Sequence, residues 1–399
     1  MRRRVARRWP LAPAALLLGS AVLAGCAGGG PSATSTTTTQ SPPPTTAAPS
    51  TTTATTAPPG RPCTAPPARW SDARLAAQLV MVLGSFTSIS SLAPESAAGA
   101  GGFVFLGQPA DSQRTALRAG LAQLGAAAPD GGQVAPWMST DTEGGTVARL
   151  TDVLGPLPSP RQMAAAWTTA QIEAAMRARG EALRGLGITM DLAPVLDTAN
   201  PTDPVADESQ RSFSTTPGVA AADGIAYAAG LRSAGVVAVG KHFPGLGHAS
   251  ANTDTGPATD PPLATLRSVD LVPFERAVDA GLPVVMVGHP VVPGLSGGLP
   301  ASLSPATYSL LRGTLHFTGV AMTDSLAAGA VADAGYTEPQ AAVTALEAGA
   351  DMAMVDAAAF QPVVSALEQA ISAGTLPATR AEASAGRILA AKGIAVCTT

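Results

Sequence analysis

Eight short apolar runs, separated by Ala-rich stretches of helical character, constrain this 399-residue chain more than any other feature of it. They are Leu79–Leu83, Phe103–Leu106, Ala135–Ser139, Ile188–Leu192, Val236–Val239, Val284–Val287, Val320–Thr323 and Met352–Val355. Between them Asp111–Leu124, Gln162–Leu186, Gly218–Ala234, Leu263–Ala280, Pro305–Leu315, Glu338–Ala348 and Gln361–Ser372 read as helices. Strands that are apolar throughout are those buried on both faces, and parallel strands need a crossover helix between them. The first run admits a second reading, because Asp72–Gln78 is helical and can continue through Leu79–Leu83. Eight such units predict a closed (β/α)8 barrel of the TIM type, and the roughly 330 residues that carry them (68–399) suit one domain. Only 13% of residues are charged and 4% aromatic, so the core must be built mainly from Ala, Val and Leu.

The first 67 residues have a different character. MRRRVARR, the apolar stretch Leu11–Leu23 and Ala24-Gly25-Cys26 read as a secretory signal over residues 1–25, too short in its apolar part to remain as a spanning helix. LAGC resembles the bacterial lipobox, which implies a diacyl group on Cys26 and a place on the outer face of the cytoplasmic membrane. Ordinary cleavage, with Cys26 incidental, is the plainer alternative. Loss of Arg2, Arg3, Arg4, Arg7 and Arg8 with the signal takes 24 cations to 19, against 28 acids, a net charge of about −9. So acidic a chain lacks the electrostatic footprint of a nucleic-acid binder. From residue 26 to 67 Thr, Pro, Ala and Ser dominate, with too little apolar bulk to fold, and such a tether reaches on the order of 120 Å at polyproline spacing. Cys63 and Cys397 are then the remaining thiols, one at each end of the domain. In an exported protein that arrangement suggests a disulfide, two free thiols being the alternative.

Polar residues gather at one end of the predicted barrel. Asp141, Lys241, His242, His289 and Asp324 each follow the C-terminal end of a predicted strand within two or three residues, where barrels carry their chemistry. Lys241 is one of only two lysines in a chain that otherwise uses Arg. A compact donor suits a site better than a planar fork, although a plain surface lysine reads the same way. The four histidines show neither HxH nor HExxH spacing, so neither a metal nor a cofactor is expected. Taken alone, Asp141 is equally a turn residue and Glu143 a cap.

Five segments occur in order: STDTEGGTVARL from Ser139, ITMDLAPVLDTANPTDPVADESQRSFS from Ile188, KHFPG from Lys241, GLPVVMVGHPVVP from Gly281 and GVAMTDSL from Gly319. Together they resemble glycoside hydrolase family 3, in particular its single-domain bacterial β-N-acetylglucosaminidases, from about Ala73 to Ala391. The resemblance implies that Asp141 accepts hydrogen bonds from sugar hydroxyls while Arg149, Arg211, Lys241 and His242 donate to them. Asp324 takes the place of the nucleophile, and His289 lies near the pocket.

Retaining hydrolysis needs a second group, an acid that protonates the leaving oxygen and then deprotonates water, about 5–5.5 Å from the nucleophile. In the relatives the loop after KHFPG ends in Asp-x-His, with the His in that role. Here KHFPGLGHASANTDTG places Asn252 and Asp254 at those two positions. Asp254 is therefore the expected acid/base, with His248 or a loss of activity as alternatives. The implied protein is an exported, membrane-anchored exo-β-N-acetylglucosaminidase acting on peptidoglycan fragments, or else a sugar-binding lipoprotein that no longer turns over.

Overall fold

The computed structural model describes residues 63–130, 133–200 and 208–397. The predicted signal segment, Cys26 and the tether up to residue 62 lie outside them; the described residues make up the barrel unit. Its strands are β1 (Val80–Ser85), β2 (Gly102–Leu106), β3 (Trp137–Thr140), β4 (Met190–Asp191), β5 (Val237–Phe243), β6 (Val284–Val287), β7 (Val320–Ser325) and β8 (Met352–Asp356). Each pairs in parallel with the next, and β8 returns to β1 through Val82 opposite Val355, closing the barrel.

The first apolar run is a strand. Ser71 caps the preceding helix, Asp72–Gln78, whose last turn closes at Leu79. Val80–Val82 then become fully buried between two neighbours, a position only an extended chain can fill in a closed sheet. The long predicted helices are broken where local caps compete with continuation. Gln162–Leu186 is two helices, Pro160–Ala166 and Thr169–Leu186, because Ser159 with Gln162 and Thr168 with Gln171 each form a reciprocal capping box. Leu263–Ala280 divides into Leu263–Leu266 and Leu271–Asp279, and Pro305–Leu315 keeps an α-helix only over Pro305–Ser309 before a wider turn. A further helix, Ala378–Ala391, lays Ala381, Ala385, Ile388 and Leu389 on the barrel.

The two ends of the barrel unit are joined. Cys63 and Cys397 form a disulfide with a Cα–Cα distance of 5.1 Å, and Cys397 N–H donates to Thr64 carbonyl at 2.9 Å. Residues 63–67, counted above with the tether, thus belong to the folded unit. At the N-terminal end of β8, Asp351 is enclosed by Arg312, Arg380 and Arg387, which tie the last helix to the sheet. Burial pushes the Asp351 carboxyl up, but the arginines more than offset this and hold it below its ordinary value. No helix among the described residues is long and apolar enough to cross a membrane.

Candidate active site

Asp141, Arg149, Arg211, Lys241, His242, Asp254 and Asp324 all line one cavity of about 430 Å³ at the C-terminal end of the strands. They come from the ends of β3, β5 and β7, from the hairpin that follows β3, from the short helix Glu208–Arg211 and from the loop after β5, so the barrel, not proximity in sequence, brings them together.

After β3 the chain turns at once into a two-stranded hairpin, Thr142–Gly144 with Val147–Ala148. Gly144 has φ +106°, and a Cβ there would lie 2.1 Å from Pro158 carbonyl oxygen, so the double glycine of DTEGG lets this hairpin fold back over the barrel rim. Asp191, at the end of β4, fixes it: its carboxylate accepts from Thr142 N–H at 2.9 Å and from the Thr142 hydroxyl. Burial raises Asp191 to about 7 despite those donors.

The hairpin aims Glu143 inward, to a role that its sequence, read as a cap, does not reveal. Its carboxylate takes two hydrogen bonds from Arg211, Nε at 2.8 Å and Nη2 at 2.9 Å, and lies 2.6 Å from Lys241 Nζ. Lys241 also donates to Asp141 at 2.8 Å. Burial acts against both charges, yet Arg211 and Lys241 hold Glu143 far below the usual carboxylate range, and Asp141 and Glu143 hold Lys241 above the usual ammonium value. The hairpin also carries Arg149, whose Nε is buried without a protein partner beside the cavity.

His242 is held by a second residue that sequence reasoning missed. Its Nδ1 lies 2.7 Å from Asp197 Oδ2, and its backbone N–H donates to Asp197 Oδ1 at 3.1 Å. Burial lowers the imidazole's affinity for a proton, but Asp197 outweighs it and raises the pKa above the ordinary histidine value. The APVLD segment that supplies Asp197 carried a signal: an acid that closes an apolar run six positions after the end of β4. Asp324 stands on β7 with Oδ1 accepting from Ser325 N–H at 2.8 Å. Burial raises its carboxyl, whereas the His242 imidazole and the Ser325 N–H lower it by more, so it stays ionised. His289 does not line the cavity. Its Nε2 lies 2.9 Å from Ser325 carbonyl, which can only accept, so Nε2 carries the proton and Nδ1 accepts from the Ser302 hydroxyl at 2.7 Å. Burial keeps the ring neutral, and it braces the turn after Asp324.

The loop after KHFPG brings Asn252, Thr253 and Asp254 to the cavity wall. Its far end is pinned to the segment that follows β7: Gly329 N–H donates to Asp254 carbonyl at 2.9 Å and Ala330 N–H to Thr253 carbonyl at 3.0 Å. Asn252 Oδ1 accepts from Asp254 N–H at 2.8 Å, leaving an exposed carboxyl at the cavity mouth. His248 is elsewhere, outside the cavity lining, with Nδ1 2.8 Å from Asp270 Oδ1.

Residues 99–391 match the profile of the glycosyl hydrolase family 3 N-terminal domain. The chain is 40% identical over 291 residues to the β-hexosaminidase LpqI of Mycobacterium tuberculosis, covering 71% of this chain and 74% of that one. It superimposes on the solved structure of M. tuberculosis LpqI with a TM-score of 0.75 at 37% identity, over 84% of this chain and 98% of that one. A β-N-acetylhexosaminidase from Beutenbergia cavernae gives a TM-score of 0.75 at 30% identity, over 82% and 99%.

Proposed function

The chain belongs to glycosyl hydrolase family 3 and is a glycoside hydrolase of the β-N-acetylhexosaminidase kind, and from that premise we propose a retaining exo-β-N-acetylglucosaminidase with Asp324 as nucleophile and Asp254 as acid/base. The observation that carries the assignment is that an ionised carboxylate, Asp324, and a solvent-reaching one, Asp254, line the same cavity on segments hydrogen-bonded to each other. Asp141, Lys241, Arg211, Arg149 and His242 supply the acceptors and donors that a pyranose with several hydroxyls requires, and Glu143 holds Lys241 and Arg211 in place. In the first step Asp324 attacks the anomeric carbon while Asp254 gives its proton to the departing oxygen. In the second, Asp254 takes a proton from water, which displaces Asp324 from the sugar.

A 2-fluoro glycoside should label Asp324 covalently. Asp254→Ala should slow poor leaving groups by about 10²–10⁴-fold and activated aryl glycosides far less, with azide restoring the second step. Equal loss on both substrate classes without azide rescue would remove Asp254 from the role. We further place the enzyme outside the cytoplasmic membrane as a lipoprotein acting on GlcNAc-bearing cell-wall fragments. The signal-like N-terminus with its Cys26 supports this, as does a 35% identical relative from Arthroderma benhamiae described as a secreted glycosyl hydrolase.

A further inference from the structure

A group of buried acids that hydrolysis does not use lies against the loop that carries Asp254. Asp270 is 1% exposed; its Oδ1 faces His248, and its Oδ2 has no protein partner. Both carboxyl oxygens of Asp260, 3% exposed, are likewise buried without one. Asp197, which holds His242, is near enough to raise both groups.

The return limb of that loop is tied to the segment after β6, Val291 N–H donating to Ala258 carbonyl at 2.8 Å and Asp260 N–H to Val291 carbonyl at 2.9 Å. The loop's apolar contribution is a small cluster of Leu246, Ala249 and Ala258, so polar anchors must set its path. At its near end Leu246 N–H donates to Asp197 Oδ1 at 2.8 Å. Asp270 lies so close that a Cβ on Gly245 would approach its own Cβ to 2.4 Å, and one on Gly247 would lie 2.1 Å from Thr198 carbonyl oxygen. Asp270 directly precedes the helix Leu271–Asp279, a fixed element, whereas His248 belongs to the loop. The His248–Asp270 contact therefore joins the loop to the barrel's outer layer six residues before Asp254, and the carbonyl bonds to Gly329 and Ala330 join it again at Asp254.

We propose that His248 and Asp270 are positioning residues for hydrolysis: their contact holds the loop in the path that delivers the Asp254 carboxyl to the departing oxygen. This rests on Asp254 being the acid/base. The contact acts through geometry, and displacement of a proton donor by about 1 Å is enough to cost up to about 10²-fold in rate.

Leaving-group dependence separates the readings. His248→Ala should lower kcat for a poor leaving group by about 10- to 100-fold while KM and an activated aryl glycoside change little. His248→Asn, whose amide N–H can stand near the position of Nδ1, should recover most of the loss, and Asp270→Asn, which keeps an acceptor, should lose less than His248→Ala. In an Asp254→Ala background His248→Ala should add nothing. An unchanged His248→Ala enzyme, with azide rescue intact for Asp254→Ala, overturns the positioning role and leaves Asp254 as acid/base. Azide rescue of His248→Ala but not of Asp254→Ala overturns both. Equal loss on all substrates, together with a lower Tm, means support of the fold alone and also refutes the proposal.

Discussion

At the scale of single residues, buried carboxylates with opposite shifts carry opposite dependences on pH. Glu143 is 1% exposed and its pKa is depressed below the ordinary 4.5 by Arg211 and Lys241, which outweigh its burial. Its contribution is therefore fully present above that value and is lost as the pH falls through its folded pKa. Asp260 is raised, chiefly by burial and by Asp270, so its contribution is present at low pH and declines as the pH rises through its folded value. Glu143→Gln leaves Lys241 and Arg211 with Asp141 as the remaining acid of the cluster, one buried charge short of balance, and should cost about 3–5 kcal/mol. Denaturant titrations at a series of pH values should show that loss near neutrality and a shallower acid limb than the parent. An unchanged midpoint at pH 7 would mean that water already screens the trio. Asp324 and Lys241 were legible in the sequence because their motifs are strongly patterned; Glu143 and Asp197 were not, because an acid's partner is set by the other strands.

At the scale of elements, the hairpin Thr142–Gly144 with Val147–Ala148 and the loop after β5 do the positioning. Gly144 has a left-handed backbone and no room for a side chain. Gly144→Ala should therefore destabilise the protein by about 1–3 kcal/mol. It should also raise KM more than it lowers kcat, since the hairpin bears Glu143 and Arg149 but neither reacting carboxylate. Steady-state kinetics on an activated glycoside test this, and a kcat effect with KM unchanged would detach the hairpin from sugar binding. The sequence announces such a turn through adjacent glycines. It does not announce helix breaks like the one at Trp167 and Thr168, where a strong cap interrupts a stretch whose propensity favours continuation.

At the scale of the whole molecule, the disulfide between Cys63 and Cys397 ties the entry of the barrel unit to its exit across 334 residues. In the chain-entropy account a loop of that length stabilises by up to about 5–6 kcal/mol. The joined ends also fix where the preceding segment leaves the barrel. If Cys26 carries lipid, as we propose, Cys26→Ala should move the activity from the membrane fraction to the soluble one without altering kcat or KM, and a lipid analogue should no longer label the protein. Persistence of the variant on the membrane would refute the anchor.

The resemblance to family 3 supplied the imidazole from which Asp254 departs, whereas the sequence by itself determined the rhythm of βα units and the end of the barrel at which polar residues collect. Those are matters of local composition and order along the chain, which apolar runs, glycine turns and motif spacing record directly. Tertiary structure alone decided that Glu143 joins Lys241 to Arg211, that Asp197 holds His242, and that His248 turns to Asp270 while Asp254 lines the cavity. Each of these depends on barrel closure, which also brings Lys241 and Asp141, 100 positions apart, within hydrogen-bonding distance and buries charges where only a partner makes them tolerable.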